Sequence, residues 1–357
     1  NNEGMGGVKT PELIMFTNKA DANHLINVLK ELYIVSEDWT GNRYGGLTID
    51  WDYANHTVDI SIPGYIERAL QRFRHPPPTR PQHAPHAWQK PTYGATTQYA
   101  PTPDTSPALN AKDTKHVQEV LGTLLFYARA VDSTMLTAIG TLASQQANGT
   151  TATLDALTQL LNYCATHPDA IVRYHASDMI LHVESDAPYL TAPKARSRAA
   201  GYQYLSSRPL DPTKPPSPDD PPPPANGAIN VFCQILREVV SSAAEAELAA
   251  LFHNGKEACP IRTCLAELGY PQPPTTIITD NSTAFGIAND TVKQKRSKAI
   301  DMRFYWIRDR VRQGQFHIYW KRGSLNRADY FTKHHPAKHH QQIRSSYLHS
   351  KDDRSAN

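Results

Sequence analysis

MILHVESDAPY, residues 179–189, decides how the second half of the chain is read. Leu181 and Val183 alternate with His182, Glu184 and Asp186, the period of two that sends successive side chains to opposite faces of a strand. Working outward, the pattern predicts strands over 179–185, 199–205 and 228–240, then a helix over 243–268, a strand over 275–279 and a helix from Ser282. A basic helix over 298–313, a strand over 316–320 and a last helix opening at 325–332 complete the order. Three consecutive strands followed by alternating helices and strands predict an α/β domain of three antiparallel strands plus parallel strands with flanking helices.

Four acids stand where separate elements of such a domain can converge. Asp186 ends the first strand, Asp280 ends the strand in TIITDNSTA, Glu247 lies early in the long helix, and Asp329 lies early in the last one. Helix 243–268 offers two glutamates, and capping chemistry separates them: Ser242-Ala-Ala-Glu245 has the form of a capping box, in which Glu245 bonds back to the Ser242 backbone N–H. Glu247 is then the one free to face a cleft. Converging carboxylates are hard oxygen donors suited to Mg2+ or Mn2+. Two such ions about 4 Å apart are what phosphodiester hydrolysis uses to activate water and neutralise a leaving oxygen.

Charge points the same way. The net charge is only +3, but Thr291 to Arg327 holds eleven Lys or Arg against two acids, a local +9, leaving −6 for the remainder. Lys293, Lys295, Arg296, Lys298, Arg303, Lys321 and Arg322 are the candidate phosphate contacts in this block, which would hold a nucleic acid largely independently of its sequence. Tyr305 and Trp306 are spaced as core aromatics are. HHPAKHH (334–340) suggests zinc, but no nearby acid or cysteine completes a tetrahedral set, so the segment reads as a solvated tail. The four cysteines lack C-x-x-C spacing and read as reduced, mostly buried thiols.

Upstream, residues 1–74 carry a β-α-β-β-α pattern, with Leu13–Phe16 its first short strand. Residues 75–115 form a proline-rich linker or surface strap, because proline lacks the N–H that helices and central strands require. Residues 116–175 read as a helical connection, 176–335 as the α/β domain with a second proline-rich insert at 209–224, and 336–357 as a His-rich polar tail. Apolar runs are too short to span a bilayer. No basic-then-apolar leader opens the chain, so secretion is not expected. The first residue, Asn rather than Met, reads as a fragment or a processed product.

SSAAEAELAAL (241–251), TDNSTAFGIAND (279–290), KQKRSKAIDMRFYWIRDRV (293–311) and NRADYFTK (326–333) resemble, in the same order, the ribonuclease H region of copia-type LTR retrotransposon Pol polyproteins. GGLTIDWDYANHTVDISIPGYIERALQRF (45–73) and LGTLLFYARAVDSTMLTAIGTLASQQ (121–146) resemble the thumb-side and connecting segments that follow the family's polymerase site. The resemblance implies a ribonuclease H-like domain preceded by a helical connection and a partial reverse-transcriptase palm and thumb unit. It implies an enzyme that cuts the RNA strand of RNA–DNA hybrids with two Mg2+ or Mn2+ ions on Asp186, Glu247, Asp280 and Asp329. Other polyprotein products, integrase and capsid, would be its partners, in cytoplasmic virus-like particles or the nucleus. GMGGVKTPE (4–12) stands where the family has its Tyr-x-Asp-Asp hairpin, so polymerase chemistry is not expected of this chain. Ala299 replaces the family's His, and Pro188 follows Asp186-Ala187. These departures leave open a second reading, a catalytically inactive nucleic-acid-binding or assembly module.

Overall fold

The computed structural model of the protein describes residues 18–35, 37–88, 104–192, 196–207, 223–292 and 305–350. The predicted strand at 13–16, most of the 209–224 insert and the basic residues from Lys293 to Arg303 lie outside them. Helix α1 (Lys19–Lys30) is followed by β1 (Arg43–Tyr44), β2 (Leu47–Asp52), β3 (Thr57–Ser61) and α2 (Tyr65–Arg72). After the proline-rich segment come α3 (Ala111–Ala130), α4 (Leu136–Gln145), α5 (Thr151–Thr166) and β4 (Val172–His175). The second half runs β5 (Ile180–Asp186), β6 (Arg198–Ser206), β7 (Ala228–Ile235), α6 (Ala243–Glu267), β8 (Thr275–Thr279), α7 (Ser282–Ala288), α8 (Tyr305–Arg312), β9 (Phe316–Trp320) and α9 (Ala337–Arg344). No helix among the described residues is long and apolar enough to cross a membrane.

Two sheets result. β1 to β4 form an antiparallel sheet in sequence order, and β4 belongs to it although it follows the helical connection. Arg173 on β4 grips Asp59 on β3 with Nε 2.8 Å and Nη2 2.9 Å from its two oxygens. The larger sheet has the order β7-β6-β5-β8-β9. Its first three strands in sequence pair antiparallel, and β8 and β9 join parallel to β5 and to each other.

The alternation along β5 predicts one apolar and one polar face, yet all seven of its residues are buried. The reason is that both faces are covered. Leu181 and Val183 pack with Ala246, Leu248, Ala250 and Leu251 of α6. On the opposite face, Tyr202, Tyr204, Phe331 and Tyr347 join one apolar cluster with Leu121, Leu124, Tyr127, Ile139, Leu142 and Leu160 from α3 to α5. The helical connection is thus the second covering layer of the sheet. The proline-rich segment is a strap along α5: the Gln82 N–H donates to Thr166 Oγ1 at 2.9 Å, and Gln159 Nε2 donates to the Ala84 carbonyl at 3.2 Å.

The polar tail is corrected. Residues 337–344 form α9, His340 is 1% exposed, and Arg344 pairs at 3.2 Å with the fully buried Asp132. Tyr163 accepts from Arg344 Nε at 3.1 Å and contacts His340 Nε2 at 3.0 Å, so long-range polar partners draw this hydrophilic stretch inward. The cysteines are free, but only Cys164 is fully buried; Cys233 and Cys259 are half-buried and Cys264 is exposed.

One close approach fixes α6 over the sheet. Asn254, fully buried, donates to the Ala200 carbonyl at 2.9 Å and to Ser185 Oγ at 3.1 Å. A Cβ at Gly201 would occupy the space of that amide. Replacing Gly201 with Ala is expected to cost about 1–3 kcal/mol by overpacking. Urea unfolding checks this, and an unchanged midpoint would mean that α6 can back away freely.

Candidate active site

Asp186 is the last residue of β5, and Ala200 of β6 stands opposite it. Glu247 lies two turns before Asn254 on the same face of α6, so the contact that docks the helix also aims this carboxylate at the strand end. Asp280 follows β8, the parallel neighbour of β5, and therefore leaves the sheet at the same edge. One oxygen from each of these three lies within 4.8 Å of the others. Asp186 and Glu247 are each 5% exposed.

The surroundings hold each group in place. Glu247 accepts from Thr279 Oγ1 at 3.1 Å and from the Ala187 N–H at 3.3 Å. Trp320 Nε1 donates to the Asp280 carbonyl at 2.7 Å. Gly323 leaves the room that the Asp280 carboxylate takes, since a Cβ there would collide with it. Asp329 stands outside the close trio. It rises from a 3-10 turn, Arg327–Thr332, rather than from the α-helix the sequence predicts, and its Oδ1 lies 2.7 Å from Lys333 Nζ. Its charge reaches the trio all the same.

Burial pushes the Asp186 carboxyl up to about 7, with the Asp329 and Asp280 charges adding to the rise against a hydrogen bond from Thr332. Glu247 is driven well above the carboxylate range by burial first, then by Asp186 and Asp280. Asp280 is raised by burial and by Asp329, against a hydrogen bond with Glu247. Two carboxyl groups share such a bond only while one keeps its proton. Carboxylates this close and this dry are relieved either by protons or by a cation, and hard oxygen donors suit Mg2+ or Mn2+. The donor set therefore fits the divalent ion that the sequence implies.

Glu245 plays the separate part expected of it, with a different partner. Its Oε2 accepts from both the N–H and the Oγ of Ser241 at 2.6 Å, one residue before the predicted Ser242, whose Oγ caps the Glu245 N–H at 3.2 Å. Thr279, Thr332 and Lys333 were not singled out from sequence as site residues. Thr332 and Lys333 stand in NRADYFTK beside Asp329, which was the available signal.

Of the basic candidates among the described residues, Lys321 is corrected. It is 2% exposed, held in line with the sheet by its N–H bond to the Thr279 carbonyl at 3.0 Å, and cannot reach a phosphate. Arg322 is exposed beside Gly323. Arg308 and Arg312 both pair with Asp290, the latter at 2.6 Å, which tempers the positive face of α8. Trp306 packs against Phe252 at 5.6 Å between ring centroids, a core contact.

The five-stranded sheet in this order, with acids gathered at the shared end of β5 and β8, has the mixed antiparallel and parallel architecture that the resemblance in sequence implies. In sequence, the chain is similar to the retrovirus-related Pol polyprotein from transposon TNT 1-94 of Nicotiana tabacum, 24% identical over 290 residues. That match covers 81% of this chain, which spans 20% of the relative's length. No family model matches. Among solved structures, the N-terminal RNase H domain of rv2228c from Mycobacterium tuberculosis aligns at 12% identity and a TM-score of 0.28, over 47% of this chain and 96% of that one. RNase H1 from Halobacterium salinarum aligns at 14% identity and a TM-score of 0.26, over 42% of this chain and 92% of that one.

Proposed function

We propose that this chain is a metal-dependent ribonuclease H that cleaves the RNA strand of RNA–DNA hybrids as part of a retrotransposon Pol polyprotein. The observation that supports it most is the convergence of Asp186, Glu247 and Asp280 from three separate elements, with oxygens within 4.8 Å. Glu247 and Asp280 would hold one ion together with Asp186, which would also reach a second ion shared with Asp329. Bound Mg2+ or Mn2+ supplies a nucleophilic water at neutral pH and neutralises charge on the leaving oxygen.

The protein's own part is to fix the ligands before substrate arrives. Thr279 and the Ala187 N–H set the plane of the Glu247 carboxylate, and Thr332 bonds Asp186. Lys333, on Asp329, brings a positive charge to the rim of the site. Arg322, with Lys293, Lys295, Arg296, Lys298 and Arg303 read from the sequence, would contact phosphates along the hybrid. In this reading α1, β1 to β3 and α2 are the partial palm and thumb, α3 to α5 with β4 are the connection, and integrase and capsid are the neighbouring products. Virus-like particles and the nucleus are the expected compartments.

The test is cleavage of an end-labelled RNA–DNA hybrid in Mg2+ or Mn2+, beside Asp186→Asn. Cleavage of the RNA strand alone, lost in the variant and in chelator, is the expected result. Hybrid binding with no cleavage above the variant would replace the enzyme reading with the silent-module reading.

A further inference from the structure

Glu184 is fully buried two residues before Asp186 and takes no direct part in the acidic cluster. A strand places residues two apart on the same face, so whatever Glu184 holds is held beside Asp186. What it holds is the turn that carries Asp329. The Glu184 carboxylate accepts the Arg327 backbone N–H and, at 2.7 Å, Arg327 Nη1. Tyr204 OH donates to the same Oε1 at 3.3 Å, and the guanidinium lies 5.6 Å from the centre of the Tyr204 ring. Next door, Asn326 Nδ2 donates to the Ser185 carbonyl at 2.8 Å while its Oδ1 accepts the Ala328 N–H at 3.0 Å. Tyr347 OH closes the far side on the Arg327 carbonyl at 2.9 Å.

We infer that Glu184 and Arg327 are positioning residues that set Asp329 at the edge of the acidic cluster. Both Glu184 oxygens are engaged by protein donors, so it serves as an anchor and not as a further ligand. A 3-10 turn is short and has poor internal hydrogen bonding, so its register on the sheet must come from outside bonds. A buried ion pair is a costly way to fill space, since well-packed apolar residues of the same volume are often as stable. What the pair adds is a fixed place: Arg327 lies two residues before Asp329, and Glu184 lies two residues before Asp186. The inference rests on the proposed metal-dependent reading.

The test is a Mn2+ titration followed by electron paramagnetic resonance, with hybrid cleavage measured across the same Mn2+ range. The set is the wild-type chain, Glu184→Gln, Arg327→Lys, Asp329→Asn and the Glu184→Gln/Asp329→Asn double variant. The expected result for Glu184→Gln is Mn2+ binding weakened about ten- to a hundredfold, as for other supporting partners of metal ligands. Its cleavage should recover at high Mn2+, and its KM for hybrid should stay at the wild-type value. In the Asp329→Asn background the same change should weaken Mn2+ binding no further. Equal weakening in both backgrounds, or none in either, would overturn the clamp. Should Glu184→Gln fail to fold, Arg327→Lys, which keeps charge and backbone bond, decides by the same criteria when made alone and together with Asp329→Asn. A wild-type chain that binds no Mn2+ refutes the metal reading itself and takes the clamp with it; wild-type binding with an unaltered Glu184→Gln variant refutes the clamp alone.

Discussion

Asp186→Asn is expected to lose hybrid cleavage by about a thousandfold or more while melting at a higher temperature than the wild-type chain in chelator. The loss follows from its place at the centre of the cluster. A ligand whose ion supplies several kcal/mol of charge stabilisation takes about tenfold in rate for each 1.36 kcal/mol removed. The gain follows from the same geometry. Asp186, Glu247 and Asp280 crowd like charges into a buried site, and replacing one by an isosteric amide removes repulsion and desolvation that otherwise only a proton or a bound cation offsets. Ordinary core damage moves both quantities down together. Opposite movement is the signature of a site built for a cation, and a variant that lost activity and stability together would argue against it.

Local pattern was enough to find this trio. Strand ends and a helix start were visible in ILHVESDAPY, TIITDNSTA and SSAAEAELAALF, and the capping-box form beginning at Ser242 set Glu245 apart from Glu247, although Ser241 is the residue that bonds the Glu245 carboxylate. The sequence of elements in the second half was legible as well, while the order of the strands across the sheet was not. What the sequence hid were pairings between distant residues. Glu184 was placed on the face of Asp186, but nothing near it announced Arg327. The segment 334–340 read as solvated because histidines and lysines usually are; Tyr163 and Asp132, far upstream, are what bury His340 and anchor Arg344. Lys321 read as a phosphate contact because charge in a basic block was counted without strand register. The full burial of β5 was likewise invisible, since the helices that cover its second face belong to the preceding segment and nothing local to the strand announces them.

The same acids predict how metal and pH act on stability. In the protein without a cation, Asp186 in the folded state titrates near 7, against 3.8 for the ordinary group. Between those values the folded state binds more protons than the unfolded one, so this group's contribution falls as pH rises, by about 4 kcal/mol in all. Its destabilising effect is absent below about pH 4 and complete above about pH 7. Glu247, also driven well above the carboxylate range by burial, adds a fall of the same sign. Buried histidines act in the opposite sense. His167, His335 and His340 are pushed down to about 4 by burial, so their contribution rises between about pH 4 and 6.5 and then stays constant. A single melting curve against pH would mix the two trends. The difference between millimolar Mn2+ and chelator at each pH cancels the histidines, because the ion acts at the carboxylates. That difference is expected to be near zero at about pH 5 and to reach several kcal/mol by about pH 8, growing as the acids lose the protons with which the ion competes. Asp186→Asn should flatten it. A Mn2+ stabilisation of equal size at both ends of that range, or one that survives in Asp186→Asn, would place the bound ion somewhere other than on these three carboxylates.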